Sequence, residues 1–244
     1  MAPHGTPDFW GRGPKGITYA LDDMAELAVR LGSFMNYDRR GEVFYANDFD
    51  NGGRGYVSLG GGTGNEVYLS ADQVAHGSMC LVLKTGDGID DYCTLIKTLR
   101  HPDDGPIGFE VSFVPHDNLA KIEFILYLYE GAKIYTYLIT YNHALGTLIL
   151  SDSAGADVAV GTCGVLGHDY DLYHQFKLVI NTLTRHYIRV MLNDNTYDVS
   201  AESAQGSANA GNRRMLAFVN TICTAAGASE VRLDNIIITQ NEPG

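Results

Sequence analysis

The sequence predicts an all-β fold, a two-sheet antiparallel jelly-roll sandwich carrying an N-terminal extended arm and one short helix. Three observations predict it. From Val43 onward apolar residues recur at every second position in short runs, Gly, Asn and Asp turns separate the runs, and no helical period intervenes between them. The residues before Val43 follow other rules, which divides the chain into an attachment segment, 1–42, and a sandwich, 43–244.

Taken in order, residues 1–16 hold three of the seven prolines and four glycines (Gly5, Gly11, Gly13, Gly16) around Phe9 and Trp10, the single tryptophan. That composition cannot build its own core. It reads as a disordered tail or as an arm whose aromatics dock on another surface, and docking is the reading carried forward. Next, Ile17, Leu21, Met24, Ala28, Leu31 and Met35 recur with alternating gaps of four and three. Asp22 and Asp23 fall in the first turn, where the helix dipole favours acids, and Gly32 offers a C-terminal cap, so a helix is expected over 18–31. About two heptads are too few for a self-standing coiled coil. The apolar stripe is therefore expected to pack on the sandwich or on a neighbouring subunit. Phe9, Trp10, Ile17, Leu21, Met24 and Leu31 become the candidate assembly contacts, and a homo-oligomer the expected partner arrangement.

In the sandwich, the run from Lys121 to Tyr129 is apolar at every even position, and Gly131 opens a return strand from Lys133 to Tyr141, as in a hairpin. Further strands are expected at 56–59, 66–70, 79–84, 92–99, 108–114, 145–150, 176–181, 186–192, 215–220 and 231–239. Forty-five per cent hydrophobic residues in 244 suffice for one large core, and no linker rich in Pro, Ser or charge interrupts the strands.

The net charge of −12 and pI near 4.9 give a field that repels polyphosphates and anionic lipid heads, so neither nucleic acid nor a membrane surface is an expected partner. The N-terminus shows no basic segment followed by an apolar one, and no stretch reaches the length of a membrane span, from which a soluble chain without an export signal is expected. Cys80, Cys93, Cys163 and Cys223 form no C-x-x-C pair. Buried free thiols are expected, with a disulfide left open.

Candidate chemistry is sparse. Asp48 with Asp50, and Asp169 with Asp171, have the i, i+2 spacing of paired carboxylates on a strand, yet acids at strand ends serve mainly in solvated turns. The run 60–64, Gly-Gly-Gly-Thr-Gly, lacks the Lys-Ser/Thr of a phosphate loop and reads as a connection between strands. His168, Asp169, Asp171 and His174 are the densest group of metal-ligating types, but an extended segment holds the two histidines ~20 Å apart. Fifteen tyrosines include Tyr127, Tyr129, Tyr135, Tyr137 and Tyr141. Odd-numbered Tyr127 and Tyr129 point away from the apolar even set, to stack on a sugar, to line a protein interface, or only to stiffen the sheet.

The stretch Tyr173-His174-Gln175-Phe176-Lys177-Leu178-Val179-Ile180, a turn, and Tyr187-Ile188-Arg189-Val190-Met191-Leu192-Asn193-Asp194 resembles paired strands of concanavalin A-like and laminin G-like domains. The segments Asn47-Asp48-Phe49-Asp50-Asn51-Gly52 and Leu233-Asp234-Asn235-Ile236-Ile237-Ile238 are similar to the first and last strands of carbohydrate-binding jelly rolls. The resemblance spans about residues 43–240 and implies the sandwich fold. It also implies a calcium ion held by Asp48, Asp50 and Asp234. It carries over no ligand; a cell-surface glycan, where one binds, is expected to meet outward-facing Tyr127 or Tyr129 or the loops near Gly60 and Asp169. The Glu-x-Asp-x-x-Glu motif of the related glucanases is missing, so no catalytic residue and no enzyme activity are expected. The helical lead-in followed by Asp38-Arg39-Arg40-Gly41 is similar to bacteriophage structural proteins. It implies a virion component, a capsid decoration or tail protein, with a carbohydrate-binding module as the alternative and a glycoside hydrolase or lyase last.

Overall fold

The computed structural model describes residues 41–243 apart from Arg54, His76, Asp117, residues 169–171, Ala225 and Ala226. All of these lie in the second of the two units into which the chain divides, Asp38–Gly244. The expected arm and helix, with Phe9, Trp10, Ile17, Leu21, Met24 and Leu31, lie outside the described residues.

Sixteen strands and, among the described residues, no helix make up this unit. They are β1 (Glu42–Asn47), β2 (Tyr56–Gly61), β3 (Glu66–Ser70), β4 (Cys80–Lys84), β5 (Tyr92–Arg100), β6 (Pro106–Pro115), β7 (Leu119–Tyr129) and β8 (Lys133–Asn142). Then follow β9 (Thr147–Ser151), β10 (Asp157–Thr162), β11 (His174–Asn181), β12 (His186–Leu192), β13 (Asn195–Asp198), β14 (Gln205–Ala208), β15 (Arg214–Cys223) and β16 (Glu230–Gln240). Every pairing is antiparallel. One sheet runs β13-β12-β11-β6-β16-β4-β3 with β1 also on β16, and the other β10-β9-β8-β7-β15-β5-β2 with β14 also on β8. This is the predicted two-sheet jelly roll.

Two of the long strands, β16 and β8, carry two partners on one edge. On β16, residues 230–233 pair with β4 and residues 236–240 with β1. On β8, residues 133–136 pair with β14 and residues 139–142 with β9.

Alternation places the core where the sequence puts it. In β7, Ile122, Phe124, Leu126 and Leu128 are buried, and in β15 burial alternates without a break from Met215 to Cys223. The two sheets meet through Phe124 of β7 stacked on Phe176 of β11, with ring centres 3.8 Å apart, and through Phe113 of β6 tilted against Phe124 at 5.5 Å. Each such ring contributes roughly 2–3 kcal/mol by leaving water.

The centre of the first sheet departs from simple alternation, because β6, β11 and β16 bury both faces. Lys177 of β11 points away from the inter-sheet core yet is only 1% exposed, and Nζ is 2.8 Å from Glu110 and 2.7 Å from Glu242. Glu242 comes from the C-terminal return, which also reaches Arg189 through Oε2 at 3.3 Å and accepts from the Thr239 hydroxyl. Gly108 is obligatory beneath it, since a Cβ there would lie 2.5 Å from Thr239 Oγ1 and 2.9 Å from Glu242 Oε1.

Two expectations change. Gly60 and Gly61 belong to β2 instead of a connection, with Asn65 and Tyr92 occupying the space their side chains would take. The segment 143–146 is a turn, so the strand expected from Leu145 begins at Thr147. The four cysteines are free thiols, three of them buried, and burial pushes the Cys93 thiol up to about 11. Among the described residues no helix is long and apolar enough to cross a membrane.

Candidate carbohydrate-binding face

The solvent side of the second sheet is built from the residues that alternate with the core positions of β8, β7, β15, β5 and β2. Antiparallel register aligns them in rows across the strands. Leu138, Ile125, Phe218, Ile96 and Val57 form one row, and Thr140, Glu123, Asn220, Thr94 and Leu59 form the next. Tyr127 stands opposite Leu216 on the other side of the apolar row, and its ring meets Phe218 edge-on at 4.9 Å and 84°. Edge-to-face packing fixes the two rings against each other while leaving part of each residue open to solvent. Burial, and secondarily the neighbouring Tyr129 and Glu123, raises the Tyr127 phenol above its ordinary value, so its hydroxyl stays protonated and able to donate.

Beside the rings runs a fixed polar chain. Thr94 Oγ1 donates to Asn220 Oδ1 at 2.7 Å, Asn220 Nδ2 donates to Glu123 Oε2 at 2.9 Å, and Lys121 Nζ lies 2.8 Å from Glu123 Oε1. Each link fixes the next, so the amide and the carboxylate are held without a ligand. Planar acceptors and donors beside a partly exposed aromatic pair match a pyranose, which offers an apolar C–H face and a rim of hydroxyls. Tyr129, at the end of the same face, is covered by the Arg214 guanidinium 4.3 Å from its ring centre. The arginine occupies the stacking surface that the sequence assigns to a sugar.

The other expected sites fare differently. Asp169 lies outside the described residues. Asp48, Asp50 and Asp234 do not form a calcium cage, and among the described residues no three His, Cys, Asp or Glu side chains gather as a metal site. The reason is local: Asp50 Oδ1 already accepts from Ser78 N at 2.6 Å, Ser78 Oγ at 3.1 Å and Met79 N at 3.0 Å, which holds its carboxyl below the usual range. Asp48 Oδ1 turns back onto Asp50 N, and Asp234 is fully buried where the β16–β6 register shifts. These donor sets suit turn formation and strand packing, not an ion.

His174 is structural. Its Nε2 pairs with the Gly167 carbonyl at 2.9 Å and its Nδ1 with the Asn193 amide at 3.0 Å. Burial holds this imidazole below its ordinary value of 6.5, although both hydrogen bonds pull the other way. The folded protein thus binds the proton more weakly than the unfolded chain. The stability it contributes is complete above the unfolded value and is lost as the pH falls through 6.5 and below. Urea unfolding at about pH 7.5 and about pH 5.5 should show the wild type losing more stability than His174→Gln. Equal losses would show that this ring does not carry the acid sensitivity.

No family model and no curated protein sequence matches the chain. Solved structures do match its fold. A galectin-like protein of unknown function from Bacillus subtilis is 14% identical with a TM-score of 0.52, covering 82% of this chain and 96% of its own. The potassium-bound carbohydrate recognition domain of Emp46p is 11% identical with a TM-score of 0.50, covering 81% and 94%. A carbohydrate esterase from the Shiga toxin-encoding bacteriophage phi24B is 10% identical with a TM-score of 0.51, covering 83% and 100%. A sialidase is matched over only 19% of its length. The chain therefore has the concanavalin A-like, galectin-like jelly-roll fold that its paired strands resemble.

Proposed function

We propose that this chain is a non-enzymatic, lectin-like protein that binds a glycan on the solvent face of its second sheet. The observation that carries the proposal is the pre-bonded chain Thr94–Asn220–Glu123–Lys121 lying beside the Tyr127–Phe218 edge pair. Binding suits it better than hydrolysis. Glycoside cleavage needs two carboxylates facing across a cleft about 5–10 Å wide, whereas Glu123 lies in a row with Thr140 and Asn220, both oxygens engaged. The fold shared with the Emp46p carbohydrate recognition domain supports the same reading.

The proposal extends to display of this sandwich on a virus particle, as a decoration or tail component assembled through residues 1–42; this part rests on the sequence of the lead-in, with its proline- and glycine-rich arm and its apolar 4-3 repeat. A glycan array followed by calorimetry on the full chain tests the binding. Hits are expected, and Tyr127→Ala and Glu123→Gln should each weaken them about tenfold or more, measured at a temperature where both variants are folded by circular dichroism. An array without hits, or hits indifferent to both substitutions, overturns the site. Sedimentation of the full chain beside one lacking residues 1–35 reads the assembly role, which fails if both are monomeric.

A further inference from the structure

A second candidate site lies on the opposite side of the second sheet, at its β2 edge. Lys97 of β5 stands in register with Tyr56 of β2 and with the buried Ala217 of β15, so its side chain runs toward the first sheet, away from the Tyr127 face. Its ammonium sits 4.7 Å from the centre of the Tyr45 ring and 4.9 Å from that of Tyr56. The two phenols are themselves joined by a 3.0 Å hydrogen bond. Among the described residues Lys97 makes no ion pair. Two tyrosine faces hold the cation in place, but they neutralise no charge and accept none of its three protons as an oxygen would.

Lys97 lines an open, solvent-facing cavity of about 360 Å³ together with Tyr45, Ala46, Asn47, Asn51 and Gly52. Its wall is rigid. Phe49, fully buried and in the left-handed region at φ 62°, anchors the 47–52 turn 5.7 Å from the Tyr56 ring. Asn47 Oδ1 accepts from Phe49 N at 3.2 Å, and Phe49 O accepts from Gly52 N at 2.8 Å. Gly55 keeps the ammonium's place open, since a Cβ there would come within 2.9 Å of Nζ.

We infer that this cavity binds a monocarboxylate the size of one sugar ring, with Lys97 as the counter-ion and Asn51 as the neutral polar contact. One cation matches one negative charge. A doubly charged phosphate would bring an uncompensated charge to a chain of net charge −12. The volume lies at the small end of ligand pockets, enough for a single hexuronate.

Calorimetry or amide chemical-shift titration of the full chain with glucuronate, acetate and glucose tests this. Saturable glucuronate binding is expected, weakened by added salt, with glucose showing none. Acetate is expected to bind more weakly than glucuronate, and acetate binding as tightly overturns the ring-sized ligand. Lys97→Met retains the packing over the tyrosines and should lower glucuronate affinity about tenfold or more. Asn51→Asp, at an exposed position where folding is safe, should do the same by placing a like charge at the mouth. Tyr127→Ala should leave it unchanged, so this site and the face proposed above stand or fall separately. No binding of either anion at millimolar concentration, glucose matching glucuronate, or wild-type affinity in both pocket variants overturns the inference.

Discussion

Replacing Lys177 with methionine is expected to lower the unfolding free energy by about 3–5 kcal/mol. Methionine keeps the unbranched stem and is one atom shorter, so packing changes little and the electrostatic consequence dominates. Lys177 lies between Glu110 and Glu242, whose carboxyl oxygens are 2.8 and 2.7 Å from its ammonium, in a setting where all three side chains are almost wholly buried. Removing the cation leaves two carboxylates facing each other, although Arg189 still reaches Glu242 at 3.3 Å and the Thr239 hydroxyl still donates to it. A buried charge whose partner has been deleted is far costlier than the intact pair is favourable. The triple change Lys177→Met, Glu110→Gln, Glu242→Gln should therefore recover much of the loss. Urea unfolding at neutral pH measures both variants. A single-variant loss under about 1 kcal/mol, the scale of an exposed pair, would show that the cluster is hydrated and not buried.

The same cluster shows where sequence pattern stops being informative. Strand β7 was legible because Ile122, Phe124, Leu126 and Leu128 face one core and Lys121, Glu123 and Tyr127 face solvent, so hydropathy follows the pleat. In β11 the run His174–Asn181 buries Lys177 as completely as its apolar neighbours. Its partner Glu242 is 65 residues away, and only the fold brings the two together. Strands β13 and β14 were missed for the opposite reason. Residues of NTYD and QGSA are almost all exposed, and their strand form comes from the edges of β12 and β8, not from side-chain burial.

The candidate face divides along the same line. The outward direction of Tyr127 follows from strand period alone, but its partner Phe218 and the chain Thr94–Asn220–Glu123 join three strands separated by up to 126 residues. Local signals can place each residue on the solvent side and cannot say which neighbours it meets. Asp48 and Asp50 illustrate the converse. The jelly-roll resemblance assigns them to a calcium ion, while the backbone donors of Ser78 and Met79, some 28 residues on, claim the Asp50 carboxylate first. Lys97, an unremarked residue in a strand, gains its character from two tyrosines on different sheets.

Tyr187→Phe and Tyr137→Phe should have opposite outcomes, although both rings are fully buried and lie edge-to-face at 5.4 Å. The Tyr187 hydroxyl crosses from the first sheet to the second, where it donates to Ser151 O at 2.8 Å and accepts from Leu138 N at 3.0 Å. Leu138 sits in the gap on β8 between the residues that pair with β14 and those that pair with β9, so the phenol replaces a missing ladder partner. Phenylalanine at 187 strands a buried N–H and deprives a carbonyl, at a cost of about 2–4 kcal/mol. The Tyr137 hydroxyl is buried and, among the described residues, has no hydrogen-bond partner. Deleting it removes a desolvated polar group and disturbs no acceptor or donor, so Tyr137→Phe should be neutral or stabilising by up to about 1 kcal/mol. Chemical denaturation of the two variants side by side separates the cases. Equal destabilisation would mean that ring packing, which the two share, sets the energetics here, and that the cross-sheet hydrogen bonds of Tyr187 contribute nothing of their own.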